Sequence, residues 1–233
     1  NLRQMQLAII NSVDSTKHFP GVGIVPPTAG QESQWAFSVQ AKILPYMEDA
    51  ALQKLLNFKQ PLTTGSGGSQ VFNTAQAQAI KTVVASYNCP SDTQERVQTT
   101  ANGDAAGLNY MVNMGTGTPD YSFTKKLDGM FWYNSNVRHR QIIDGTSKTL
   151  LVSECITGNS ITTNGPNAED PLRQHASFGG SAPPITEGSC ATASRWMGSR
   201  ATAWAWGREF NTGFNTYALP NGEKPDCGVN GAG

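Results

Sequence analysis

The segment Asp144-Gly145-Thr146-Ser147-Lys148 sets a carboxylate, two hydroxyls and an ammonium side by side, a grouping that could serve a phosphate or a metal ion. Asp-Gly is also a strong hairpin-turn signal, and Thr and Ser cap neighbouring amides, so the segment reads as a turn. The histidines His18, His139 and His175 lie far apart, none with a partner at metal-ligand spacing. There is no nucleophile elbow, phosphate loop, dinucleotide fingerprint or zinc-protease pair, so no catalytic residue is named and the chain is expected not to be an enzyme. Oxygen-rich loops such as Asn102-Gly103-Asp104 suit calcium, but their spacing fits no EF-hand, and neither a metal ligand nor a cofactor is assigned.

The four cysteines, Cys89, Cys155, Cys190 and Cys227, lack C-x-x-C spacing. Two disulfides are possible, and four cysteines allow three connectivities that sequence does not distinguish. Cys190 with Cys227 is the favoured pair, because both lie in Gly/Pro-rich surroundings, which leaves Cys89 with Cys155 as the weaker one. Cys155 directly follows the apolar run Leu150 to Val152 and reads equally well as a buried free thiol. Trp132, Tyr133, Trp204 and Trp206 could offer flat faces to sugar rings. On a strand Trp204 and Trp206 would share a face, either as a ligand-stacking pair or as one side of a core.

These residues sit in 233 residues with 38% hydrophobic content, enough for a substantial core. Seventeen basic and seventeen acidic side chains cancel, which removes any global field favouring nucleic acid or an anionic surface. With 24 Gly and 13 Pro, the chain reads as loop-rich and polar-surfaced, commoner outside the cell. No apolar run approaches the ~20 residues of a membrane span, and no signal peptide is visible. Asn1 begins as though an upstream helical segment had been cut away.

Leu2, Met5, Ile9 and Val13, joined by Ala8 and Ile10, recur at helical spacing, so the first helix is expected from Asn1 to about Thr16, ending before Pro20. Residues 35–85 read as mostly helical, with segments at Trp35 to Leu44, Pro45 to Asn57 and Asn73 to Val84. Residues 86–155 read as an antiparallel sheet with strands at Leu108 to Met114, Gly129 to Tyr133, Arg138 to Ile143 and Thr149 to Cys155. Residues 156–233 read as a variable, loop-rich region with a late strand within Trp196 to Phe210. Helices followed by strands give an α+β class in a single domain, 1–233.

Taken in order, several segments resemble one known family. Asn1-Leu2-Arg3-Gln4-Met5-Gln6-Leu7-Ala8 and His18-Phe19-Pro20-Gly21 are similar to its opening helix. Trp35 to Glu48 is similar to its "SW…LLPYLEQ" segment, with Val39-Gln40-Ala41-Lys42-Ile43-Leu44 departing from the leucine-rich run. Tyr87-Asn88-Cys89-Pro90-Ser91-Asp92, Leu108-Asn109-Tyr110, Asp128-Gly129-Met130-Phe131 and Arg140 to Glu154 match its later motifs. The chain thus resembles the prepilin-like family of unknown function abundant in planctomycetes, which has an N-terminal cleavage/methylation segment and a C-terminal H-x9-DG motif. That last motif is missing here, and His175 reads as the polar residue of a variable loop.

The resemblance implies a type IV pilin or type II secretion pseudopilin architecture: an N-terminal helix, of which residues 1–17 would be the second half, packed on an antiparallel sheet. It implies a non-enzymatic structural subunit at the cell surface, anchored in the inner membrane before assembly by an apolar half-helix that precedes these residues. The expected partners are copies of itself or other pilin-like subunits, met through the N-terminal helix. The alternative is a cell-surface solute- or glycan-binding module.

Overall fold

The computed structural model describes residues 1–47, 50–117, 126–179, 192–222 and 226–230. Helix α1 runs over Leu2–Thr16 and buries Met5, Ala8, Ile9, Ser12 and Val13, the face given by the three- and four-residue spacing. It stops because Lys17 turns left-handed at φ 67° and its N–H returns to Val13 O. The buried face of α1 meets a 3-10 turn at Leu44–Met47, helix α2 (Val39–Ile43) and the strand at Val152–Glu154. None of the helices among the described residues is long and apolar enough to cross a membrane.

Residues 35–85 hold only short pieces: α2, the 3-10 turn, α3 (Ala50–Gln53), a two-residue ladder of β1 (Thr63–Thr64) with β2 (Val71–Phe72), and α4 (Ala77–Lys81). The helix expected over Pro45 to Asn57 is instead a 3-10 turn, Leu44–Met47, and the short α3. The one expected over Asn73 to Val84 shortens to a 3-10 turn, Thr74–Gln76, leading into α4.

Strands β3 (Val97–Thr100) and β4 (Gly103–Ala106) form a separate antiparallel hairpin. The central strand is β5, Tyr110–Gly115, buried at every position. It pairs antiparallel with β6 (Val152–Glu154), Tyr110 opposite Glu154 and Val112 opposite Val152. Covered on both faces, β5 reads as a continuous run without polar alternation. A late strand does return to this sheet, but at Gly213–Asn215, and it pairs parallel with β5 on the other edge.

That pairing explains two corrections. With β6 and β10 (the Gly213–Asn215 strand) on its flanks, β5 has no edge left for the strands expected at Gly129 to Tyr133 and Arg138 to Ile143. The first is irregular: Phe131 N–H reaches Asn113 O, and Tyr133 makes a single parallel bridge to Val22. The second holds a solvated 3-10 turn, His139–Gln141. The Asp144 segment is indeed a turn, with Gly145 at φ +88°, but it follows that 3-10 turn and so closes no hairpin.

The region expected to be loops carries a second sheet. Its strands are β7 (Thr162–Asn164), β8 (His175–Gly179), β9 (Arg195–Met197) and β11 (Cys227–Asn230), in the order β11-β8-β9-β7. Beneath it Ala176, Ala193 and Trp196 form a small core separate from the main one. The main core joins α1, Phe19, residues 35–44, β5, Phe131 and the Ala201 to Trp206 segment. The class is thus mixed α and β, with small sheets and few helices.

Candidate functional site

Two groups of polar side chains meet inside the molecule. The first is built on Asp92, whose side chain is 5% exposed. Cys89-Pro90-Ser91-Asp92 is a tight turn after the buried Tyr87, closed by the Asp92 N–H to Cys89 O bond. One carboxylate oxygen accepts from Gln94 N–H at 3.1 Å and from the Arg173 guanidinium at 2.9 Å. The other accepts from the Asn109 amide at 2.6 Å and from Thr157 N–H at 3.0 Å. Burial alone would raise this carboxyl, but these donors outweigh it and hold it well below the usual carboxylate range.

Asn109 extends the network. Its amide nitrogen also donates to Cys155 O and Thr157 Oγ1, while its oxygen accepts from Cys89 N–H at 2.8 Å. Arg96 donates to Cys89 O and Asp92 O, and Arg173 to Thr157 O. Four stretches distant in sequence are so joined at one carboxylate, with every lone pair direction used. The arrangement fixes chains in place; it leaves no proton to move and no nucleophile to activate.

The second group surrounds Lys42 on α2. The other residues of that helix, Val39, Gln40, Ala41 and Ile43, are buried, and Ser38 pins its first turn by accepting from Ala41 N–H and donating to Trp204 O. Lys42 Nζ donates to Gly21 O at 2.5 Å and Gly23 O at 2.6 Å. Burial lowers this amine from its ordinary value to about 8. It borders a pocket of about 360 Å³ formed by Ser12 and Thr16 of α1, the His18 to Gly21 loop, Tyr46 and residues 134–136. Gly21 lets the walls approach, because a Cβ there would stand 2.4 Å from Ser135 O.

The residues singled out from sequence fall elsewhere. Trp204 and Trp206 are 0% and 4% exposed, so neither offers a face to a ligand and the stacking reading is corrected to core packing. The Trp204 indole donates to Thr82 O, and Trp206 packs between Phe72 and Phe210. Trp204 lies in a turn and Trp206 makes only an isolated bridge to Phe37, so the two share no strand face. Tyr133 is likewise buried, its hydroxyl donating to Ile24 O, whereas Trp132 is half-exposed beside a wider groove of about 670 Å³ with Glu32 and Asn134.

Cys89 and Cys155 are free thiols, which corrects their pairing. Their backbone amides bind opposite sides of Asn109, at its side-chain oxygen and its carbonyl, and burial pushes the Cys155 thiol up to about 12. The Cys190–Cys227 pairing falls on Cys190, outside the described residues. His175 is no loop residue: it begins β8, buried against Phe210, and its Nδ1 has no partner among the described residues. Burial, then Arg200, lower it to about 4 despite Asp226. No group of three or more His, Cys, Asp or Glu able to hold a metal occurs among the described residues, and Asp104 of the Asn102 loop is engaged by Lys81 and Thr99.

The motifs brought together at Asp92 are those that carried the family resemblance, and the family comparison covers the same span. A profile described as a protein of unknown function (DUF1559) matches residues 1–226. The chain belongs to that family. No curated protein and no solved structure matches it. In this DUF1559 member, the "CPSD" and "LNY" steps are thus two sides of one buried joint. Asp92 and Asn109 were quoted as motif residues without a role, and Arg173 gave no signal, because its contribution depends on an 81-residue separation closed only by folding. Lys42 had a signal, a charge inside an apolar run.

Proposed function

We propose that this chain is a non-enzymatic, pilin- or pseudopilin-like structural subunit displayed at the cell surface. The observation that carries the reading is the two-sidedness of α1. Met5, Ala8, Ile9 and Val13 are buried against the body of the domain, while Leu2 and Leu7 stay 39% and 52% exposed on the helix. A helix with apolar residues left outside its own core suits lateral contact with other pilin-like subunits. The saturated carboxylate of Asp92 supports a structural role for the family motifs.

The test is a photo-crosslinking residue at Leu7 in the full-length protein, expressed in its native cells. Crosslinks to further copies or to pilin-like subunits in a surface-sheared fraction are the expected result. A protein confined to the cytosol, or one giving only intramolecular crosslinks, overturns it.

The alternative, a cell-surface solute- or glycan-binding module, now draws its support from half-exposed Trp132 and its groove rather than from Trp204 and Trp206. A glycan array in which binding occurs and is abolished by Trp132→Ala would favour it; an array without binding counts against it.

A further inference from the structure

Lys42 is a half-buried cation whose charge meets no carboxylate among the described residues. Among the described residues no carboxylate pairs with it, and none lines the pocket it borders. Its two acceptors, Gly21 O and Gly23 O, are neutral carbonyls, and an ammonium carries three donors. One N–H therefore remains uncommitted. Buried charges are ordinarily paired, because desolvation is costly. Leaving one half-satisfied at a cavity wall makes that wall attractive to an anion.

The remaining lining matches such a guest. The Tyr46 hydroxyl and the side-chain amides of Asn134 and Asn136 border the pocket and make no hydrogen bond to other described residues. Asn134 is held there in a left-handed conformation, φ 55°, by its N–H to Val22 O, so its place is set by the backbone. A cation flanked by neutral donors is the complement of an oxyanion, whose lone pairs accept from every side. About 360 Å³ exceeds what a carboxylate or phosphate group fills, and leaves room for the body that carries it.

We propose that this pocket binds a small oxyanion-bearing molecule, carboxylate or phosphate, with Lys42 as its charged anchor and Tyr46, Asn134 and Asn136 as neutral donors. The site is independent of the surface-assembly reading, since it needs no second subunit.

The experiment is an NMR titration of the full chain, labelled at lysine and in the backbone, with sodium acetate and with inorganic phosphate, against sodium chloride at matched ionic strength. Saturable shifts of the Lys42 εCH2 signal and of the Asn134 and Asn136 amides are expected with at least one oxyanion. Lys42→Met should weaken the affinity at least about tenfold, while Lys42→Arg retains it. A response to acetate alone identifies a carboxylate ligand, and one to phosphate alone a phosphoryl ligand. If Lys42→Met does not fold, Tyr46→Phe together with Asn134→Ala serves in its place, with the same loss expected. Absence of saturable shifts with both anions, or shifts unchanged in the variants, overturns the proposal.

Discussion

Asp92 and Lys42 are both charges withdrawn from water, yet their surroundings are opposite. Asp92 receives two backbone N–H groups, an amide and a guanidinium, and its countercharge Arg173 is part of the same fold. Lys42 receives two carbonyls, no countercharge among the described residues, and a cavity. The contrast separates two uses of a buried charge: a saturated one locks chain segments together, and a half-satisfied one keeps attraction in reserve for something else.

The comparison can be broken most directly at Asp92. Asp92→Ala leaves Arg173 and Asn109 facing an empty site and is expected to cost about 3–5 kcal/mol in urea unfolding. A loss below about 1 kcal/mol would mean that the joint is ornamental. His175 supplies the next largest effect, as a buried group with no partner at Nδ1 among the described residues. Its folded value of about 4 lies below the ordinary 6.5, so the unfolded chain binds the extra proton between them. The stabilisation is complete above pH 6.5 and is lost as pH falls toward 4, by up to about 3 kcal/mol. In His175→Phe this slope should vanish from pH-dependent melting curves.

The carboxylate of Asp92 acts in a different window. Its folded value is depressed, so its contribution is present above the ordinary carboxylate range and disappears only below it. Arg173→Met tests the countercharge alone and should cost about 1.5–3 kcal/mol, less than Asp92→Ala because three other donors stay on the carboxylate. Lys42→Met should change stability least, by under about 1 kcal/mol at pH 7, since the desolvated ammonium and its two carbonyl bonds leave together. Burial lowers the folded amine to about 8, so wild-type stability rises as pH passes from 8 toward the ordinary lysine value. Scanning calorimetry from pH 7 to 10 should therefore show the difference moving in favour of wild type. A large loss in Lys42→Met at pH 7 would place Lys42 with Asp92, as a structural charge.

Parts of this arrangement were legible beforehand for local reasons. Helix α1 follows from the spacing of Met5, Ile9 and Val13 together with the stop at Lys17 to Pro20, because helical periodicity and capping involve neighbours only. The strands β5 and β6 were likewise visible as two apolar runs, without their pairing. The strands expected at Gly129 to Tyr133 and Arg138 to Ile143 had suitable composition but no free edge to join, and sheet edges are assigned by the whole topology. Trp204 and Trp206 had the right chemistry for a ligand platform and the wrong burial, which no two-residue spacing reveals. His175 looked like loop polarity because the β8 and β9 strands around it are short and interrupted by polar residues.

The sequence by itself determined the neutral charge balance, the N-terminal helix and its buried face, the turn at Asp144, and the ordered motifs of a family of unknown function. Each is a property of composition or of residues a few positions apart. Only the tertiary structure decided that Asp92 meets Arg173, that Trp204 is interior, and that Lys42 borders a pocket with no carboxylate among its described lining residues. Those outcomes depend on which distant segments exclude water from one another, and burial sets both the strength of a charge interaction and whether any room remains for a guest.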